Sequence, residues 1–146
     1  MSAPVITVER TATLALAEEL MNVERVRHLP VVEGDVLVGM LSDRDLLAAS
    51  LSTLDDPSEE DDLERKRRTE VSQVMRGSIE TVTADFPAGR AAEALLEHHI
   101  GCLPVIDERR HVVGIVTSFD YVRLAKEILR DGEVNRERGP RSAGRR

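Results

Sequence analysis

Hydrophobic and polar residues change their spacing several times along this chain. Val5 to Val8 is a short apolar opening that reads as a strand. From about Thr13 to Glu24 the apolar positions move to helical spacing, with Leu14, Ala17, Leu20 and Met21 on one stripe. Leu29 to Val32 is a nearly continuous apolar run, read as a second strand, and Glu33-Gly34-Asp35 is a tight turn. Val36 to Leu41 is β-branched and apolar enough to predict a strand buried on both faces. A second helix is expected from Asp43 toward Ser50.

The whole order then returns. HLPVVEGDVLVGMLSDRDLL (His28 to Leu47) reappears as CLPVIDERRHVVGIVTSFDYV (Cys102 to Val122). Leu29-Pro30-Val31-Val32 matches Leu103-Pro104-Val105-Ile106 at an offset of 74 residues, and Val38-Gly39 matches Val113-Gly114 at 75. One residue has therefore entered the intervening turn, which becomes Asp107 to Arg110. Upstream, Thr7 and Val8 match Thr81 and Val82, and Ala17 matches Ala91. The helical stripe recurs as Ala88, Ala91, Ala92, Leu95 and Leu96, the next strand as His111 to Val116, and the last helix from Ser118 toward Leu129. A period this long is not that of a solenoid. Each copy reads β-α-β-β-α, an α/β unit with little core of its own, so the two are expected to pair.

The predicted divisions are a first unit over 1–50, a charged linker over 51–70, a second unit over 71–130 and a disordered basic tail over 131–146. In the linker a new segment starts at Pro57-Ser58, with acidic Glu59 to Asp62 first and basic Arg65 to Arg68 later. That order complements a helix dipole and predicts a solvated helix. Val71, Val74 and Met75 are expected to dock this linker onto the second unit.

Composition narrows the function. Aromatics are 2% of the chain and the net charge is −7, which argues against a nucleic-acid surface built on stacking or on phosphate contacts. One cysteine, Cys102, rules out an internal disulfide and a cysteine-rich zinc site, and beside an apolar strand it reads as a buried, inert thiol. His98-His99 at a helix end reads as a dipole complement, since no cluster with metal-ligand spacing accompanies it. No apolar segment approaches the roughly 20 residues that span a bilayer. MSAPVITVER lacks a basic head followed by an apolar stretch, so a cytoplasmic protein is expected. No paired catalytic carboxylates or nucleophile–base pair emerges, which points away from an enzyme.

Candidate chemistry sits at two polar interruptions, Gly39-Met40-Leu41-Ser42-Asp43-Arg44-Asp45 and Gly114-Ile115-Val116-Thr117-Ser118-Phe119-Asp120. A hydroxyl residue three positions before an acid, at a helix start, is a capping box. The same geometry can hold a ligand. Free N–H groups at the helix start attract phosphate, the hydroxyl adds a donor, and a carboxylate one turn on can accept from a ribose diol.

The tandem Gly-x-x-Ser/Thr-x-x-Asp pattern, each preceded by a Leu-Pro-Val strand, resembles the CBS-domain pair, or Bateman module. The resemblance covers roughly residues 4 to 49 and 72 to 129. It implies two β-α-β-β-α units packed about a pseudo-twofold axis, with two clefts that bind AMP, ADP, ATP or S-adenosylmethionine as regulatory ligands. By the family pattern one cleft joins Ile115, Thr117 and Asp120 to Ile6, Thr7, Val26, Arg27 and His28. The other joins Met40, Ser42, Arg44 and Asp45 to Thr81, Val82, Ile100, Gly101 and Cys102. Arg27 and His28 favour the first as the phosphate site. The resemblance further implies a homodimer and a sensor that signals to a separate regulated protein. The alternative is a pure interaction or dimerisation module whose clefts hold no nucleotide.

Overall fold

A computed structural model describes residues 5–51 and 59–137; Pro57-Ser58 and the tail beyond 137 lie outside the described residues. The first unit runs β1 (Val8–Glu9), α1 (Leu14–Glu24), β2 (His28–Glu33), β3 (Val36–Ser42) and α2 (Asp43–Leu51). The linker helix α3 (Glu59–Arg68) and a single 3₁₀ turn, Val71–Gln73, follow. The second unit contains α4 (Ala88–Glu97), β4 (Cys102–Ile106), β5 (Val112–Thr117) and α5 (Ser118–Glu137).

Local chemistry sets these boundaries. Thr13, in extended conformation, caps α1 by accepting the Leu16 amide at 3.2 Å. Arg25 ends the helix at φ 55°, with its N–H on the Met21 carbonyl. Gly34, at φ 65°, makes the β2–β3 turn. β1 runs parallel to β2 with Val8 opposite Val31, and β2 pairs antiparallel with β3. The second unit repeats this plan with β4 antiparallel to β5 and a single parallel bridge, Val82 opposite Val105, in place of β1. That bridge is the 74-residue offset made visible, and the two units are a pseudo-twofold pair.

The units are also stitched together directly. The Leu37 amide donates to the Arg110 carbonyl, and Met40 and Arg76 exchange both of their backbone hydrogen bonds at 3.0 and 2.9 Å. Gly39 lies under this crossing, where a Cβ would sit 3.1 Å from the Arg76 carbonyl.

Four expectations are corrected. Val71, Val74 and Met75 pack on the first unit's core, not the second's. Their backbone carries them there: the Val71 and Ser72 amides donate to the Ala12 and Arg10 carbonyls, and the Leu14 amide donates to Thr69. Lys66 of α3 adds an ion pair to Glu18 of α1 at 3.1 Å. The expected tail is helical through Glu137, where α5 continues past Gly132 with no proline to stop it. Leu96 lies on the exposed side of α4, whose buried residues are Ala91 and Leu95. β5 is only half-buried, because it borders the second unit's smaller core.

Candidate ligand-binding clefts

Each polar interruption falls where a strand becomes a helix. At the first, the Ser42 amide donates to Asp45 Oδ2 at 2.9 Å and the Asp45 amide returns to Ser42 Oγ at 3.2 Å. At the second, the Thr117 amide donates to Asp120 Oδ2 at 2.8 Å, and the Asp120 amide reaches Thr117 Oγ1 at 3.4 Å. Both are closed capping boxes, so the structural half of the expectation holds. The next amide is also used alike. Asp43 N–H donates to the Arg27 carbonyl at 2.9 Å, and Ser118 N–H to the Gly101 carbonyl at 3.1 Å. These bonds fix the start of each Leu-Pro strand against the helix start of its own unit.

From there the two junctions diverge. At α2 the Arg44 amide is satisfied by Asp43 Oδ1 at 2.9 Å, so the chain's own carboxylate holds the place an anion would take. Arg76 Nε lies 3.3 Å from Asp45 Oδ1, occupying the second carboxylate oxygen. At α5 the residue matching Asp43 is Ser118. Among the described residues none accepts from the Phe119 amide, and none donates to Asp120 Oδ1. Arg76 was not anticipated from sequence, since only the docking of the Val71 turn brings it to Asp45.

The remaining predicted residues are spread over the two cores, the surface and the contact between the units. His28 is half-buried and packs on Gly101, where an added Cβ would lie 2.7 Å from the imidazole. A side chain at 101 would require the imidazole to swing aside. Burial pushes the His28 pKa below its usual 6.5, against the fields of Asp43 and Asp45 that raise it. His28 is thus mainly neutral at pH 7, and the charge expected from the Arg27–His28 pair rests on exposed Arg27 alone. The groups acting on His28 are Asp43, Asp45 and Arg44, and with Ser42 opposite it and Gly101 against its ring it stands beside the Ser42/Asp45 junction, not with Asp120 as the family pattern implies.

Ile6 and Val26 pack against the first core, and Val82 and Ile100 against the second. Thr7, Thr81 and Ile115 are half-buried, Arg44 is exposed and Met40 is buried at the Arg76 crossing. Cys102 is buried opposite Thr117, and burial drives its thiol pKa up to about 12, so it stays protonated and unreactive. His98 caps α4 and pairs with Glu80.

Comparison with known proteins shows the family and the fold. The sequence pattern of the CBS domain matches residues 1–52 and 71–127. A CBS domain-containing protein of Dictyostelium discoideum is 33% identical over 130 residues, covering 88% of this chain and 90% of its own length. The homoserine O-acetyltransferase of Methanosphaerula palustris is 30% identical over 125 residues, but the chain spans only 23% of that enzyme. Among solved structures, the CBS domain pair of protein MJ0100 in complex with 5′-methylthioadenosine and S-adenosyl-L-methionine superposes with a TM-score of 0.72 at 27% identity. That match covers 87% of this chain and 92% of the other.

Proposed function

The chain belongs to the CBS-domain family, and we propose that it acts as a non-enzymatic sensor holding an adenine nucleotide between its two units. The observation that carries this reading is the α5 junction. It combines an open amide at Phe119 and an open carboxylate oxygen on Asp120 within one helical turn, beside a Thr117 hydroxyl that itself donates to Asp120 Oδ2 at 3.3 Å. A phosphate suits the amide, and a ribose diol suits the carboxylate oxygen. The related CBS pair that holds 5′-methylthioadenosine and S-adenosylmethionine supports an adenosine ligand.

Within this reading the Thr117/Asp120 cleft is the primary site, lined by Ile115 and approached by Ile6, Thr7, Val26 and Arg27. The Ser42/Asp45 cleft, with His28, Met40, Arg44, Thr81, Val82, Ile100, Gly101 and Cys102, is the weaker one. Asp43 and Arg76 already use its polar groups. Ligand entry at the seam shifts the relative position of the units, and a regulated partner protein reads that shift; the shift requires unequal affinity for the two arrangements. Phe119, Val122, Ile128 and Leu129 are exposed on α5 and support assembly as a homodimer through that helix. Among the described residues no helix is long and apolar enough to cross a membrane.

Isothermal titration of ligand-free protein with AMP, ATP and S-adenosylmethionine tests the reading. Saturable heat is expected with at least one of them, together with roughly 2.7 kcal/mol of added stability at a hundredfold excess over Kd. Absence of heat with all three would overturn it.

A further inference from the structure

We infer that the His28 ring closes the Ser42/Asp45 cleft from within, so that each chain holds one adenine nucleotide, at Thr117/Asp120, and not two. The inference rests on the nucleotide reading and adds to it the residue that decides which cleft is usable.

The repeat supplies the comparison. His28 stands opposite Ser42 in the β2–β3 pair, and its counterpart Cys102 stands opposite Thr117 in the β4–β5 pair. Each therefore lies beside the capping hydroxyl of its own junction. Across the contact between the units His28 meets Gly101, whose counterpart at the 74-residue offset is Arg27. Imidazole Cε1 and Nε2 would lie 2.7 and 2.8 Å from a Cβ at 101, so the ring rests directly on the glycine and leaves no room for another group between them. At the mirrored place Cys102 carries a short, buried thiol and Arg27 is exposed. The α5 junction therefore has no ring in that position.

The surrounding charges place the imidazole in the same way. The groups of α2 that act on it are Asp43, Arg44 and Asp45, all in the first turn of that helix. The other closures of this cleft are polar: Asp43 Oδ1 on the Arg44 amide, and Arg76 on Asp45. Asp43 and Arg76 are exposed, and exposed pairs of this kind hold weakly, so a phosphate or a diol can displace them. The ring is different. It is half-buried, and moving it breaks packing between the two units. Freeing the polar groups alone thus leaves the cleft shut, and removing the ring opens it.

Equilibrium dialysis of the full chain against AMP, ATP and S-adenosylmethionine, each up to about 1 mM, counts the nucleotides bound, with thermal unfolding to establish that every variant is folded. One per chain is expected for the unaltered protein. Asp43→Ser with Arg76→Gln, which copies Ser118 and frees Asp45, still binds one. Adding His28→Ala raises the count to two, whereas adding His28→Phe, which keeps a ring against Gly101, leaves it at one. Two nucleotides on the unaltered protein, or on the Asp43→Ser/Arg76→Gln variant, overturn the inference. So does a count that stays at one after His28→Ala, or that rises to two with His28→Phe; in all these cases the nucleotide reading stands. Absence of binding by every variant with all three ligands overturns that reading, and the inference with it.

Discussion

In the first unit the Val71 turn closes the core and Arg76 rests on Asp45; in the second, Asp120 keeps one oxygen unengaged by the described residues. The motif residues are nearly the same, Ser42 and Asp45 against Thr117 and Asp120, and both form the same cap. What differs is the surrounding chain. Asp43 and Arg76 satisfy the first junction from within, whereas Ser118 leaves the second with free capacity. A cap whose following amide and second carboxylate oxygen are both taken is structural. One with an amide and an oxygen to spare can recruit a ligand.

The largest expected difference lies in the cores. Leu29 and Leu103 are matched, and both are almost fully buried. Leu29→Ala should cost near the upper end of about 2–5 kcal/mol, because its neighbours are tightly enclosed, and Leu103→Ala near the lower end. Equal losses in urea unfolding would erase the contrast between the units. Next in size, Val71→Ala should cost about 2 kcal/mol, the value of a buried aliphatic truncation in the first core. A loss below about 0.5 kcal/mol, typical of a surface site, would mean the turn does not complete that core.

Smaller effects belong to the junctions. Ser42→Ala and Thr117→Ala should each cost about 1 kcal/mol as lost caps, measured by thermal unfolding without ligand. Clear inequality in the absence of nucleotide would show that the caps themselves differ, against the account. His28 gives the smallest signal. Its folded pKa lies below the usual 6.5, so the unfolded chain takes up the proton first. Its effect on stability is nil well above pH 6.5, and stability is lost as pH falls from there toward the folded value. His28→Gln should flatten that part of the pH–stability curve, and an unchanged slope would remove His28 from the seam.

Much of this was legible in the sequence because the repeat is local information. Leu-Pro-Val followed by Gly-x-x-Ser/Thr-x-x-Asp specifies strand, strand and capped helix within about twenty consecutive residues, and all of those elements appear where the pattern places them. The placement of Val71, Val74 and Met75 was not legible, because a turn that follows a linker can fold forward or back with the same apolar spacing. Backbone bonds to Ala12 and Arg10, sixty residues earlier in the chain, decide that direction. Arg76 was missed for the same reason, since its partner Asp45 is set by that docking. The lowered pKa of His28 was not legible, because its burial against Gly101 depends on how the units meet. The extension of α5 past Leu129 was hidden by polar composition, which serves an exposed helix as well as a disordered tail.

The central claim is that the two junctions share a cap but not a ligand. Isothermal titration of Asp120→Asn and Asp45→Asn with the nucleotide that binds the unaltered protein tests it most directly. The account predicts that Asp120→Asn removes most of the heat while Asp45→Asn leaves it nearly intact. The reverse order, or equal losses in both variants, would contradict it.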